Sequence, residues 1–288
     1  LLGEFKQARE RLDQLSSLYD PALHRDQAWL YGESGIAGHA WQALTLFMMG
    51  YSDQALRQTE ESLRLGREVS HAVSQAYALI LAAQHHQVRR ESPQARELAR
   101  AGQSLSTEHG LAYFSAWGNV LLAWTLAEQE PSADNIITLR SSIDALWNLG
   151  TESLFTYALI LLAEVCSRAE MRAEGLASID EALRLMEKND DRNTEAELYR
   201  VRGELLLQGG ASAAEAEACF RRAIEIAKRQ EAKSWELRAA MRLARLWQKQ
   251  GKREEARQML AEIYGWFTEG FDTADLQEAK ALLDELQS

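Results

Sequence analysis

Proline is almost missing from this chain, 3 in 288 residues. Each one inside a helix would cost about 3 kcal/mol, so its scarcity leaves long helices uninterrupted. Cysteine is as scarce. Cys166 and Cys219, the chain's 2 cysteines, stand far apart in apolar helical context, which excludes a disulfide scaffold and points to a reducing, cytoplasmic compartment. No run approaches the ~18 apolar residues that a membrane-spanning helix needs, and no charged-then-apolar signal opens the chain. Positive charge is in deficit: 32 Lys and Arg against 43 Asp and Glu give a net charge of -11, which disfavours general binding to nucleic acid or anionic membrane. What is plentiful is Ala, Leu, Glu, Gln and Arg, the residues that lose least on entering a helix, so an all-α chain is expected.

A repeat organises those helices. Ala43, Ala83, Ala123, Ala163, Gly203 and Ala244 are each followed, twelve or thirteen positions on, by Ala55, Ala95, Asn135, Gly175, Ala216 and Ala256, with breaks such as Gly50, Glu130, Gly210 and Gly251 between them. The period is 40 residues with one single-residue slip in the fifth unit. Each unit reads as helix, turn, helix, with apolar residues at i, i+3, i+4 and i+7. Small residues belong where the two helices cross, because a bulkier side chain would push the axes beyond their usual ~8–10 Å.

This pattern resembles the tetratricopeptide repeat, most closely in "GGASAAEAEACFRRAIEIA" and "QGKREEARQML". The period of 40 residues in place of the usual 34 implies a long-helix variant. The resemblance implies a right-handed superhelical solenoid. The boundaries are an orphan helix over 1–19, a connection over 20–38, six helical pairs over 39–267 and a capping helix over 268–288. The chain is also similar, most narrowly in its C-terminal third, to the C-terminal arrays of bacterial multidomain regulators that carry a class III nucleotide cyclase-like domain and a signal-transducing ATPase. Their catalytic motifs would lie upstream of Leu1, and the opening "LLGEFKQARERLDQL" starts in mid-pattern, as a fragment would.

Catalytic patterns are weak. Gly251-Lys252 continues into Arg253, not Ser or Thr, so no phosphate loop is expected. "GESGIAG" (Gly32 to Gly38) has Ile36 where a nucleophile elbow needs its second glycine, and reads as a flexible connection. His85 and His86 are adjacent, so on a helix they diverge by about 100° and do not chelate one ion. Glu60-Glu61, Glu254-Glu255 and Asp190-Asp191 read as solvated faces or helix-start charges. No cofactor and no metal site is expected. The closing "YGWFTEGFDTADL" reads as a lid: Tyr264, Trp266 and Phe267 cover the last pair, and Asp272 or Thr273 caps the final helix, whose first turn takes up Asp275.

Binding is expected on the face formed by the first helix of each pair. Fixed offsets from the small residues place Tyr77, Trp117, Trp124 and Tyr157 there, followed by Glu164, Arg200, Glu204, Arg238, Arg245 and Lys249. An aromatic and apolar first half beside a charged second half suits a peptide, a protein partner or a small polar effector. The competing reading packs the aromatics between pairs and lets the charges satisfy one another. From Arg221 to Arg257 twelve Lys or Arg stand against five Glu, a stretch suited to an acidic partner domain or, interleaved at helical spacing, to a salt-bridged solvent face. The chain is read as a non-enzymatic sensor or docking module. A self-associating scaffold and an enzyme hidden in the groove are the alternatives.

Overall fold

The computed structural model describes residues 2–18, 34–150, 154–208 and 213–287. Among them are fourteen α-helices and no strand. In chain order they are α1 (Phe5–Leu18), α2 (Ser34–Met48), α3 (Ser52–Glu68), α4 (Ala72–Val88), α5 (Ser92–Glu108), α6 (Ala112–Gln129) and α7 (Ala133–Trp147). There follow α8 (Phe155–Arg168), α9 (Arg172–Asn189), α10 (Glu195–Gln208), α11 (Ala213–Arg229), α12 (Lys233–Lys249), α13 (Arg253–Tyr264) and α14 (Ala274–Gln287). The connection expected over 20–38 lies largely outside the described residues, and its last five, Ser34 to Gly38, are the first turn of α2. Gly38 serves packing, lying against the Leu15 side chain.

The 40-residue period is written in the backbone as well as in the sequence. Gly50, Arg90, Glu170 and Gly251 adopt positive φ where a first helix ends, and Gly110, Gly150, Asp190 and Glu231 do so where a second helix ends. After α4, for example, Glu91 N–H donates to His86 O at 2.9 Å and Arg90 N–H to Gln87 O at 2.9 Å, a Schellman closure of the last turn. Gly251 takes this conformation without cost, whereas Arg90, Glu170, Asp190 and Glu231 hold it against the steric penalty of a side chain.

The repeated small residues sit where the helices cross. Ala43, Ala55, Ala83, Ala95, Ala163, Ala216, Ala244 and Ala256 are essentially inaccessible. At Gly203 on α10 an added methyl would meet the Phe220 ring of α11 at 2.5 Å. Gly203→Ala is therefore expected to lower stability by about 1 kcal/mol net, overpacking outweighing the gain in helix propensity. A urea midpoint equal to or above that of the wild type would show that Phe220 yields instead.

The chain forms two compact units, one of residues 1–5, 48–51 and 152–288, the other of 6–47 and 52–151. The division follows the pair α6–α7, which departs from the pattern. Asn135 replaces the small residue and is only half-buried, and Glu130 ends α6 in an extended conformation instead of a left-handed one. In the unit of residues 152–288 each helix packs on the next, and α8, α10, α12 and α14 also touch one another in succession. Their core joins Phe220, Leu237, Leu243, Ala244, Leu260, Phe267, Leu276, Leu282 and Leu286.

Candidate ligand-binding groove

In the unit of residues 152–288 the first helices present an unbroken ladder of ion pairs. Glu197, Arg200 and Glu204 lie on one face of α10 at i, i+3 and i+4 spacing. Arg200 Nε donates to Glu197 Oε1 at 2.8 Å, its Nη1 reaches Glu204 Oε2 at 3.0 Å, and its Nη2 pairs with Glu164 of α8. From α12, Arg238 reaches Glu197 at 3.5 Å and donates to Asp275 of α14 at 2.7 Å, while Arg242 pairs with Glu204 and, at 3.1 Å, with Glu278. Arg245 meets Glu278 at 3.5 Å and Glu285 at 3.8 Å.

The ladder is graded in depth. Arg200, Glu197 and Asp275 are buried, and Arg242, Glu278 and Glu204 are half-exposed. Burial works against the charge on Arg200, but Glu197, Glu204 and Glu164 outweigh it and hold the guanidinium firmly protonated. Burial, reinforced by Glu164, pushes the Tyr157 hydroxyl well above its ordinary range, so Tyr157 stands in the ladder as a neutral phenol. The inner rungs are thus satisfied internally, and only the outer heads keep donors and acceptors for a ligand. Lys249, at the end of α12, is exposed.

The aromatic residues expected in the groove are placed differently. Trp117 is completely buried and donates from Nε1 to Gln84 Oε1 at 3.3 Å, so it belongs to the core between α4 and α6 and offers no surface to a ligand. Trp124 is also buried, but its Nε1 has no acceptor. Tyr77 is half-buried, with its ring edge-on to Phe114 and its hydroxyl accepting from Trp41 Nε1 at 2.9 Å. Tyr157 is buried beneath the ladder.

Three further expectations are revised. Asp275 does not serve only the first turn of α14, because it anchors Arg238. Of the terminal aromatics, Phe267 joins the core as a lid should, whereas Trp266 is 37% exposed. It stacks edge-on with Tyr51 in a cleft of about 510 Å³. Asp190-Asp191 is not a solvated pair, since Asp191 is buried. The basic stretch from Arg221 to Arg257 is largely paired, as in Arg221–Glu217, Arg222–Glu225, Lys233–Glu236 and Arg257–Glu254, and so forms a salt-bridged face.

Glu197 falls at the same offset from its small residue as Tyr157 and Arg238, whereas Arg242, Asp275 and Glu278 were missed as groove residues. Arg242 carried a legible signal in its four-residue spacing from Arg238, whereas α14 lies outside the repeat and its partners follow only from the fold. Among the described residues no group of three or more His, Cys, Asp or Glu side chains is arranged to hold a metal ion, and no helix is long and apolar enough to cross a membrane.

No family model matches the chain, and no curated protein matches it. Solved structures do. The apo form of RapI is 13% identical with a TM-score of 0.60, covering 98% of this chain and 96% of that one. A Rap protein complexed with competence and sporulation factor is 12% identical with a TM-score of 0.62, covering 99% of this chain and 84% of that one. Yeast Tom70 is 15% identical with a TM-score of 0.52; the match covers 88% of this chain and 47% of that one, so the chain spans about half of its length. At these identities the likeness shows the fold alone: the chain is an all-α array of tetratricopeptide-like helical pairs.

Proposed function

We propose that this array is a docking module that binds an extended peptide or a peptide-like polar effector along the face formed by α8, α10, α12 and α14. The observation that carries this reading is the ladder itself. Its buried rungs lock α8, α10, α12 and α14 together, and its outer heads change sign from helix to helix, Glu204 on α10, Arg242 and Arg245 on α12 and Glu278 on α14, with exposed Lys249 also on α12. Alternating donors and acceptors on a rigid face suit the peptide backbone and charged side chains. The likeness to a Rap protein complexed with a factor supports the same use. The sequence resemblance to C-terminal arrays of multidomain regulators adds a cytoplasmic setting, in which docking is passed to an ATPase or cyclase-like domain in cis.

Peptide-library selection with the wild-type chain, followed by Arg245→Ala and Lys249→Ala, tests the reading. Each variant is expected to weaken the selected peptide about tenfold, the loss of one charge-assisted hydrogen bond. Lys249 is exposed, and Arg245, half-exposed, makes only long ion pairs of 3.5 and 3.8 Å, so the folded state survives either change. A selected peptide whose affinity is unchanged in both variants places binding elsewhere.

A second reading has its own observation. In the unit of residues 6–47 and 52–151, α6 and α7 line a cleft of about 780 Å³ with no charged residue. Leu126, Leu149 and, at 61%, Ile137 are exposed along it. Such a patch favours self-association. Light scattering that gives a monomer at micromolar concentration excludes it.

A further inference from the structure

The terminal lid leaves one of its aromatics open. Trp266 stands edge-on to Tyr51 in a cleft of about 510 Å³, and every residue that lines this cleft belongs to the unit of residues 1–5, 48–51 and 152–288. Its volume suits a small organic molecule or the end of a peptide. Met49, Ile224, Met259 and Ile263 give it an apolar wall, beside which Lys228, Lys233 and Glu236 come together. Glu236 is 4% exposed and accepts from Lys233 Nζ at 2.7 Å, while Lys228 Nζ lies 3.7 Å from its other oxygen. Two ammonium groups thus share one carboxylate. Lys233 Nζ also lies over the Trp266 ring, 5.5 Å from its centroid, which joins the charged cluster to the aromatic one. At Gly50, whose φ is 94°, an added methyl would meet the Trp266 ring at 2.7 Å and Lys233 Cβ at 2.9 Å. Backbone therefore holds the indole and the lysine stem in place before a ligand arrives.

We propose that this cleft binds an organic carboxylate carried on an apolar, aromatic body, as a free acid or as the C-terminus of a peptide with an aromatic last residue. The two lysines have one buried carboxylate between them, so a second carboxylate, brought by the ligand, balances the cluster. Lys228 is the group that reaches it, because its side chain is 58% exposed and its pair with Glu236 is long. An incoming cation meets the opposite condition. The ammonium of Lys233 already occupies a face of the Trp266 ring and repels a second one there.

Glu231 and Glu262 also line the cleft, but both are exposed and neither pairs with these lysines among the described residues, so water and salt screen them. The aromatic body supplies the remaining affinity by covering Trp266 and Tyr51 and taking their apolar surface out of water. No ladder residue lines the cleft, so carboxylate binding here and peptide binding at the ladder stand or fall separately.

The test is calorimetric titration of the full 288-residue chain with phenylpropionate, against phenylpropionamide and phenylpropylammonium, which keep the body and remove or reverse the charge. Phenylpropionate is expected to bind with a dissociation constant on the order of 1 mM, about tenfold tighter than either control. An acetylated alanyl-phenylalanine with a free carboxyl separates the two sources. Binding tighter than that of phenylpropionate assigns the cleft to a peptide terminus, and weaker binding assigns it to a free acid. Lys228→Met should weaken phenylpropionate about fivefold and Trp266→Ala about tenfold. Lys228 is exposed and its loss leaves Glu236 paired with Lys233, so that variant keeps its fold. Amide or ammonium binding as tight as that of the carboxylate overturns the site. So does an affinity that neither variant changes, or a wild type that binds none of the probes.

Discussion

Replacing Arg200 by Ala is expected to destabilise the unit of residues 152–288 by about 3–5 kcal/mol, the cost of stripping one partner from a buried charge network. The guanidinium is buried against Glu164, Glu197 and Glu204, so its loss leaves three carboxylates facing one another with Arg238 and Arg242 as the remaining cations nearby. Truncation of the long side chain adds a packing loss. Urea unfolding of the wild type, Arg200→Ala and the double variant Arg200→Met, Glu197→Leu separates these terms. The double variant should recover much of the loss, because a buried ion pair exchanged for apolar side chains of similar size is often neutral or better. If Arg200→Ala costs less than 1 kcal/mol, the rungs are hydrated and the ladder does not lock the helices together.

That result bears on how the groove is read. Arg200 was legible as a groove residue from its place three before Gly203, and Glu164 and Glu204 from theirs one after Ala163 and Gly203. An offset within a repeat gives the direction of a side chain and says nothing of its depth. Trp117 shows this most plainly. It stands at the same offset from its small residue as Tyr77, and Gln84 of the preceding first helix accepts its indole N–H inside the core. The repeat period, the small crossing residues and the terminal position of Phe267 were all legible, because each follows from neighbour-to-neighbour geometry that recurs. The partners of Arg238 and Arg242 on α14 were not, since a capping helix carries no repeat register. Nor was the burial of Asp191, because a pair of adjacent aspartates at a helix end has the same local pattern whether solvent or a packed segment lies over it.

In the other unit the largest expected effect is on acid stability, through His85. The ring is completely buried in α4, with Nδ1 2.7 Å from Thr59 Oγ1, Nε2 without a partner and Phe47 edge-on at 5.8 Å. Burial, with smaller contributions from the charges of His86 and Arg89, pushes its pKa well below the ordinary 6.5, so the folded protein holds it neutral. The unfolded chain takes up a proton at this position as pH falls below 6.5, and the folded chain does not. The unfolded state therefore binds more protons, and stability decreases as pH drops through 6.5 toward the folded pKa. The loss steepens as pH falls below 6.5 and levels off only where the folded ring itself takes up a proton. His85→Gln keeps a neutral partner for Thr59 and removes the titration. The stability difference between the wild type and His85→Gln, measured by urea unfolding at half-unit steps from pH 7.5 to 4.5, should be flat above pH 7 and turn increasingly against the wild type below 6.5. A pH-independent difference would mean that the buried ring accepts its proton without penalty, and that the unmatched Nε2 finds an acceptor on protonation.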